Sequence, residues 1–197
     1  QVEWQLLQER WRLVQRGGIQ LVCLMGEAGI GKTRLAEEML HWAQQQGIAT
    51  ATTRAYAEGG SLAYAPLVAL LRAETLRRQI SQMAAVWRTE LSRLLPELLA
   101  VDPRLPRPEP LTERWQVQRL YDAAGRVFLQ AGRPLILLLD DLQWFDGESI
   151  AWLHHFLHSG GTVDGAKGSA PRLLVLAALR PEEIDEGHPV THLLREL

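Results

Sequence analysis

A chain of 197 residues with 47% hydrophobic content is long enough to bury one core without disulfide or metal staples. A formal net charge of -2 and an isoelectric point near 6.3 exclude a sequence-wide cationic field, so tight nucleic-acid binding by this segment alone is not expected. No apolar stretch approaches the ~20 residues that span a bilayer, and the N-terminus lacks a signal-peptide pattern, which predicts a soluble domain without a membrane partner.

In chain order, Trp4, Leu7, Trp11 and Val14 recur at helical spacing over residues 3–15 and Gly17-Gly18 stops them, predicting a leading helix within residues 1–18. Ile19 to Met25 is a short apolar run ending in glycines and reads as a buried strand; its Cys23, the one cysteine, reads as an inert buried thiol suited to a reducing cytoplasm. From Thr33 the positions Leu35, Ala36, Met39, Leu40 and Ala43 keep helical period up to Gly47, and Ile48 to Ala55 alternates like a second strand. Gly59-Gly60 and then Tyr64-Ala65-Pro66 look like a loop feeding a helix. Residues 66–95 are largely helical and break near Pro96.

Pro103, Pro106, Pro108 and Pro110 forbid a helix or central strand and predict a stiff surface connection. From Thr112, the residues Val117, Leu120, Tyr121, Ala124, Val127, Phe128 and Ala131 form one apolar helical face that Gly132 closes. Leu135 to Leu139 is an unbroken apolar run ending in Asp140-Asp141, as in a parallel strand covered on both faces. Ile150 to Leu157 reads as helix, the Gly-, Ser- and Ala-rich residues 159–170 as a mobile connection, and Leu173 to Leu179 as another buried strand ending at Arg180-Pro181. Strands alternating with helices imply a parallel α/β sheet.

Gly26-Glu27-Ala28-Gly29-Ile30-Gly31-Lys32-Thr33 fits G-x-x-x-x-G-K-[ST] between an apolar strand and an amphipathic helix. Glycines let successive N–H groups point into an anion-sized hollow, and the helix N-terminus adds a favourable field. Lys32 suits the β- and γ-phosphates of a nucleoside triphosphate, Thr33 is placed to ligate Mg²⁺, and the neighbouring Arg34 is grouped with the nucleotide-binding residues. Asp140, at a strand end, is the second candidate for the Mg²⁺ shell, with capping of a strand-to-helix turn as the alternative. Asp141 either orients and deprotonates an attacking water or caps a strand-to-helix turn; with one methylene fewer than Glu, it predicts slow hydrolysis. Arg180 ends another apolar strand, where it either reads the γ-phosphate or forms a surface salt bridge with Glu182 or Glu183.

Other polar clusters carry less. His154 and His158 are four apart on a predicted helix with His155 between them, but no nearby carboxylate or cysteine completes a ligand set, so a solvated helix face is the reading. Trp42, Trp87, Trp115 and Trp152 are scattered over helices and read as packing residues.

At Gly26 to Thr33 together with Leu138-Leu139-Asp140-Asp141-Leu142-Gln143-Trp144-Phe145-Asp146, the chain resembles the STAND class of signal-transduction ATPases, and within it the AAA-like module of large LuxR-type transcriptional regulators and some bacterial cyclases and kinases. The likeness continues through Tyr64-Ala65-Pro66-Leu67, Leu94-Leu95-Pro96-Glu97, Leu179-Arg180-Pro181-Glu182-Glu183 and His188-Pro189-Val190, with Arg180 at the family's sensor position. It implies an ATP-driven switch: an ADP-bound resting form, exchange for ATP, then self-association that activates an attached effector, with DNA touched only by a domain outside this chain. The Gly-Arg pair that usually precedes the leading helix, and the helical lid and winged helix that usually follow, are absent between Gln1 and Leu197; with Gln rather than Met first and a helix-like run at Leu193 to Leu197, the chain reads as a fragment. The expectation is a three-layer α/β/α P-loop NTPase core over residues 19–197, with a parallel sheet of four or five strands and a helical insertion at about 62–111, binding ATP or ADP with Mg²⁺. A small-molecule kinase with an acceptor pocket in residues 56–115, or a non-hydrolysing interaction module, are the rivals.

Overall fold

The computed structural model describes residues 2–57, 62–130, 133–159 and 170–196. The Gly59-Gly60 turn, the helix end at Ala131 and Gly132, and residues 160–169 of the small-residue connection lie outside them. The order of elements is α1 (Val2–Gln15), β1 (Gly18–Met25), α2 (Lys32–Gln45), β2 (Ala49–Arg54), α3 (Ala65–Leu71), α4 (Glu74–Gln82), α5 (Ala85–Leu91), α6 (Glu97–Val101), α7 (Arg114–Leu129), β3 (Leu135–Asp140), α8 (Gly147–His158), β4 (Arg172–Leu179) and α9 (Pro189–Glu196). Short 3₁₀ turns at Leu142–Trp144 and Pro181–Glu183 follow β3 and β4.

Among the described residues the sheet has four strands, all parallel, in the order β1-β4-β3-β2. Strand alternation sends Leu135, Leu137 and Leu139 of β3 into the core shared with α3–α9, while Ile136 and Leu138 face α1 and α2. The result is three layers, with β3 and β4 between helices on both faces. That position explains why β3 is buried at every residue and why an uninterrupted apolar run was needed there.

β1 departs from the sequence reading. Among the described residues it pairs only with β4, so its residues are partly exposed rather than buried, and Cys23 is half-buried. Cys23 still packs against the larger core, and burial there pushes its thiol pKa up, which keeps the sulfur protonated and inert. Between α1, β1 and the start of α2 lies a groove of about 1130 Å³ lined by Trp4, Val22, Leu24, Ile30, Lys32 and Leu35, among others.

Two helices start where polar caps dictate, and this shifts the boundaries read from periodicity. α7 begins at Arg114 because Gln116 Oε1 reaches back to accept the Glu113 N–H at 2.8 Å and the Thr112 N–H at 2.7 Å. α8 begins at Gly147, three residues before its first apolar position, because Asp146 Oδ1 accepts the Ser149 N–H at 2.9 Å. The same oxygen accepts the Tyr64 N–H at 2.9 Å, so one carboxylate joins α8 to the entry of α3. Asp146→Ala should therefore lower unfolding stability by about 2 kcal/mol, combining a lost cap with an orphaned amide. The check is the urea midpoint at unchanged m-value, and a shift below about 0.5 kcal/mol would mean that the junction is held by apolar packing instead.

The proline-rich connection contains neither helix nor strand between residues 102 and 113. Arg88 anchors its start through Asp102 at 3.0 Å, Arg93 donates to the Glu109 carbonyl, and Leu105 is buried beneath it. Of the four tryptophans expected to be packing residues, Trp152 is buried and stacks on Phe156 at 5.2 Å, Trp42 meets Trp4 and Trp11 edge-on, and Trp87 lies under Arg126. Trp115 is the exception to the packing expectation; it sits on the first turn of α7 and is 56% exposed.

Candidate functional site

Four parallel strands end on the same side of the sheet, and each delivers one part of the site there. The loop after β1 carries residues 26–31 into α2. Gly29 (φ +79°) and Gly31 (φ +103°) hold left-handed backbone, and a Cβ at either would meet nothing within 4 Å. Conformation, not crowding, therefore requires glycine, and the hollow above the loop stays open. Glu27, Ala28 and Ile30 are exposed around it. Lys32 opens α2, and its Nζ donates to the carbonyls of Gly26 at 2.7 Å and Glu27 at 2.8 Å. The Ala28 N–H donates to Glu182 Oε1 at 3.3 Å, so a carboxylate from far along the chain already addresses a loop amide. Arg34 turns away from this centre, its side chain 85% exposed and paired with Glu38 at 3.2 Å along α2.

The acids come from the far side of the loop. Asp140 is in phase with Ile136 and Leu138, which points it at the α2 layer, and there Thr33 Oγ1 donates to its carboxylate at 3.0 and 3.2 Å. A regular strand would send Asp141 to the opposite face. Instead Asp141 adopts φ 56°, ψ 50°, a left-handed conformation that costs about 1–2 kcal/mol for an ordinary residue and less for Asp. The turn brings both carboxylates to Arg54, whose Nη2 lies 3.1 Å from Asp140 Oδ2 and whose Nε lies 3.2 Å from Asp141 Oδ2. Arg54 ends β2 directly opposite Asp140 in register, so the pair shares a face.

Two further residues hold Asp141. Arg180 Nη2 is 3.3 Å from Asp141 Oδ1, while its Nη1 pairs with Glu183 at 2.8 Å and its guanidinium lies 4.7 Å from the centre of the Trp144 ring. Gln143, buried to 3%, donates to Asp141 Oδ1 at 3.1 Å and accepts the Arg180 N–H at 3.2 Å. Asp140 and Asp141 are 4% and 6% exposed, a depth at which carboxylates persist only when paired, as they are here. Arg180 is thus at the acid cluster and in a salt bridge with Glu183 at once.

Sequence reasoning missed Arg54 and Gln143. Nothing in a Thr- and Ala-rich strand marks Arg54 until strand order sets β2 beside β3. Gln143 stood inside the quoted acidic run, but its role depends on the turn at Asp141. Tyr64 stands at the entry of α3, where its N–H bonds Asp146 and its hydroxyl donates to Glu148 at 3.1 Å, with burial pushing the phenol pKa up.

The donor chemistry fits the groups such a loop would hold. Thr33 and Asp140 offer only oxygen, as Mg²⁺ prefers, and the loop offers amides, an ammonium and open space to an anion. A parallel sheet whose first strand passes through this glycine loop into a helix, facing a strand-end acid, is the core of a P-loop NTPase. A family model described as AAA ATPase domain matches residues 1–176, and the chain belongs to that family, a family of nucleotide-binding modules. No curated protein matches the chain in sequence. Among the described residues, no helix is long and apolar enough to cross a membrane.

Proposed function

We propose that this domain binds Mg²⁺-ATP and Mg²⁺-ADP and hydrolyses ATP slowly, as the switch module of a STAND-class signal-transduction regulator of the LuxR-type kind. The observation that carries it is the 3.0 Å contact between Thr33 Oγ1 and Asp140, which sets two oxygen ligands side by side at the mouth of the glycine loop. Residues 26–34 would receive the nucleotide, with loop amides and Lys32 on the phosphates; the exposed Arg34 is a peripheral member. Bound between Thr33 and Asp140, Mg²⁺ would offset phosphate charge. Asp141 is the residue assigned to orient and deprotonate water, and Arg180 the one assigned to sense the γ-phosphate.

Slow turnover follows from the ion pairs. Asp141 is engaged by Arg54, Arg180 and Gln143, and donors already on both of its oxygens compete with the water it would orient. A timer suits that arrangement better than a metabolic kinase does. In this reading the domain works in the cytoplasm, self-associates in its ATP form, and reaches DNA only through a domain outside this chain.

The test is calorimetric titration of ATP with and without Mg²⁺, on the natural sequence and on Asp140→Asn. Mg²⁺ should tighten ATP binding at least about tenfold in the former, and most of that gain should vanish in the variant. Equal affinities with and without Mg²⁺ in the natural sequence would overturn the assignment of Thr33 and Asp140.

A further inference from the structure

The histidines set aside for lack of a carboxylate have one. α9 packs beside α8 and lays Glu196 against the histidine pair, so His154, His158 and Glu196 bring their candidate ligand atoms within 4.8 Å of one another. We infer that these three residues form a binding site for Zn²⁺ on the outer face of α8 and α9.

Each ligand is arranged for this. His154 and His158 are one helical turn apart with ring centroids 4.1 Å from each other. His158 Nδ1 is 3.0 Å from the His154 carbonyl oxygen, and since a carbonyl only accepts, that nitrogen carries the proton and Nε2 keeps its lone pair for a metal. His154 Nε2 and Glu196 Oε2 are in hydrogen-bond contact, so an ion entering between them exchanges that bond for two metal bonds. Tetrahedral zinc ligands at about 2.0–2.2 Å stand about 3.4 Å apart, a modest closure for exposed side chains. Water would complete the coordination.

The neighbouring His155 takes no part; it bonds Asp122 at 2.9 Å and packs on Tyr121. Two imidazoles and one carboxylate favour a borderline ion such as Zn²⁺, whereas Mg²⁺ seeks oxygen, so this site is chemically separate from the pair Thr33 and Asp140. It is also independent of the nucleotide reading. An ion here would staple α8, which leaves the acid-bearing strand, to α9, which leaves the strand of Arg180.

The experiment uses the chelator-treated, nucleotide-free protein in excess Mg²⁺, titrated with Zn²⁺ against a chromogenic competitor. One equivalent should bind with micromolar or tighter affinity and raise the melting temperature, and Co²⁺ in its place should show the visible bands of a four-coordinate nitrogen and oxygen site. His158→Ala and Glu196→Gln should each weaken Zn²⁺ binding by about tenfold to a hundredfold or more, since even outer-shell partners of metal ligands cost that much. His41→Ala, a change at an exposed histidine on α2, should leave it unaltered. Absence of saturable binding, or equal affinity in all three variants, would overturn the site.

Discussion

Replacing Lys32 by alanine is expected to lower affinity for ATP about a hundredfold. The ammonium stands at the first turn of α2, held by two loop carbonyls that water can satisfy once the side chain is gone. Its loss therefore leaves no buried group stranded, and the melting temperature should stay near that of the natural sequence. What disappears is the pair of charge-assisted hydrogen bonds that the lysine would exchange for phosphate oxygens. Each such bond is worth about 1.5–3 kcal/mol, so roughly 3 kcal/mol remains after the carbonyl contacts are given up, equivalent to about two decades in dissociation constant. Calorimetry with ATP on the folded variant provides the check, and an unchanged constant would remove the phosphates from this loop.

Asp141→Asn should act on rate instead of affinity. The amide preserves side-chain volume and a carbonyl oxygen for Arg54 or Gln143, while Arg54 keeps Asp140 and Arg180 keeps Glu183. Binding of ATP should then hold within a few-fold, or tighten, because the centre loses one negative charge. Removing a positioned proton acceptor costs about a hundredfold or more in turnover. Single-turnover phosphate release reads this directly; a rate equal to the parent's would leave Asp141 as a purely structural member of the ion-pair cluster.

Much of this centre is legible in the linear sequence because it is locally encoded. The glycine loop occupies consecutive residues whose spacing follows from phosphate geometry, and the acids directly end an unbroken apolar run, Leu135 to Leu139. Strand order is not local. Whether a run such as Ile19 to Met25 lies inside the sheet or at its rim depends on which strands sit beside it, and so β1 was read as buried. Arg54 was invisible for the same reason, since only lateral pairing sets it opposite Asp140. Helix starts at Arg114 and Gly147 moved because caps at Gln116 and Asp146 outweigh the phase of the apolar face. The histidine cluster needed the packing of α9 on α8 before Glu196 could join residues some forty positions away.

The glycine loop hangs from a strand hydrogen-bonded on one flank, whereas the acids hang from one sandwiched on all sides. Such tethering is unequal: among the described residues the loop's strand is braced by one neighbour and the acids' strand by two. A body lying along the other flank would press first on that loop, the part that the proposed function gives to the phosphates.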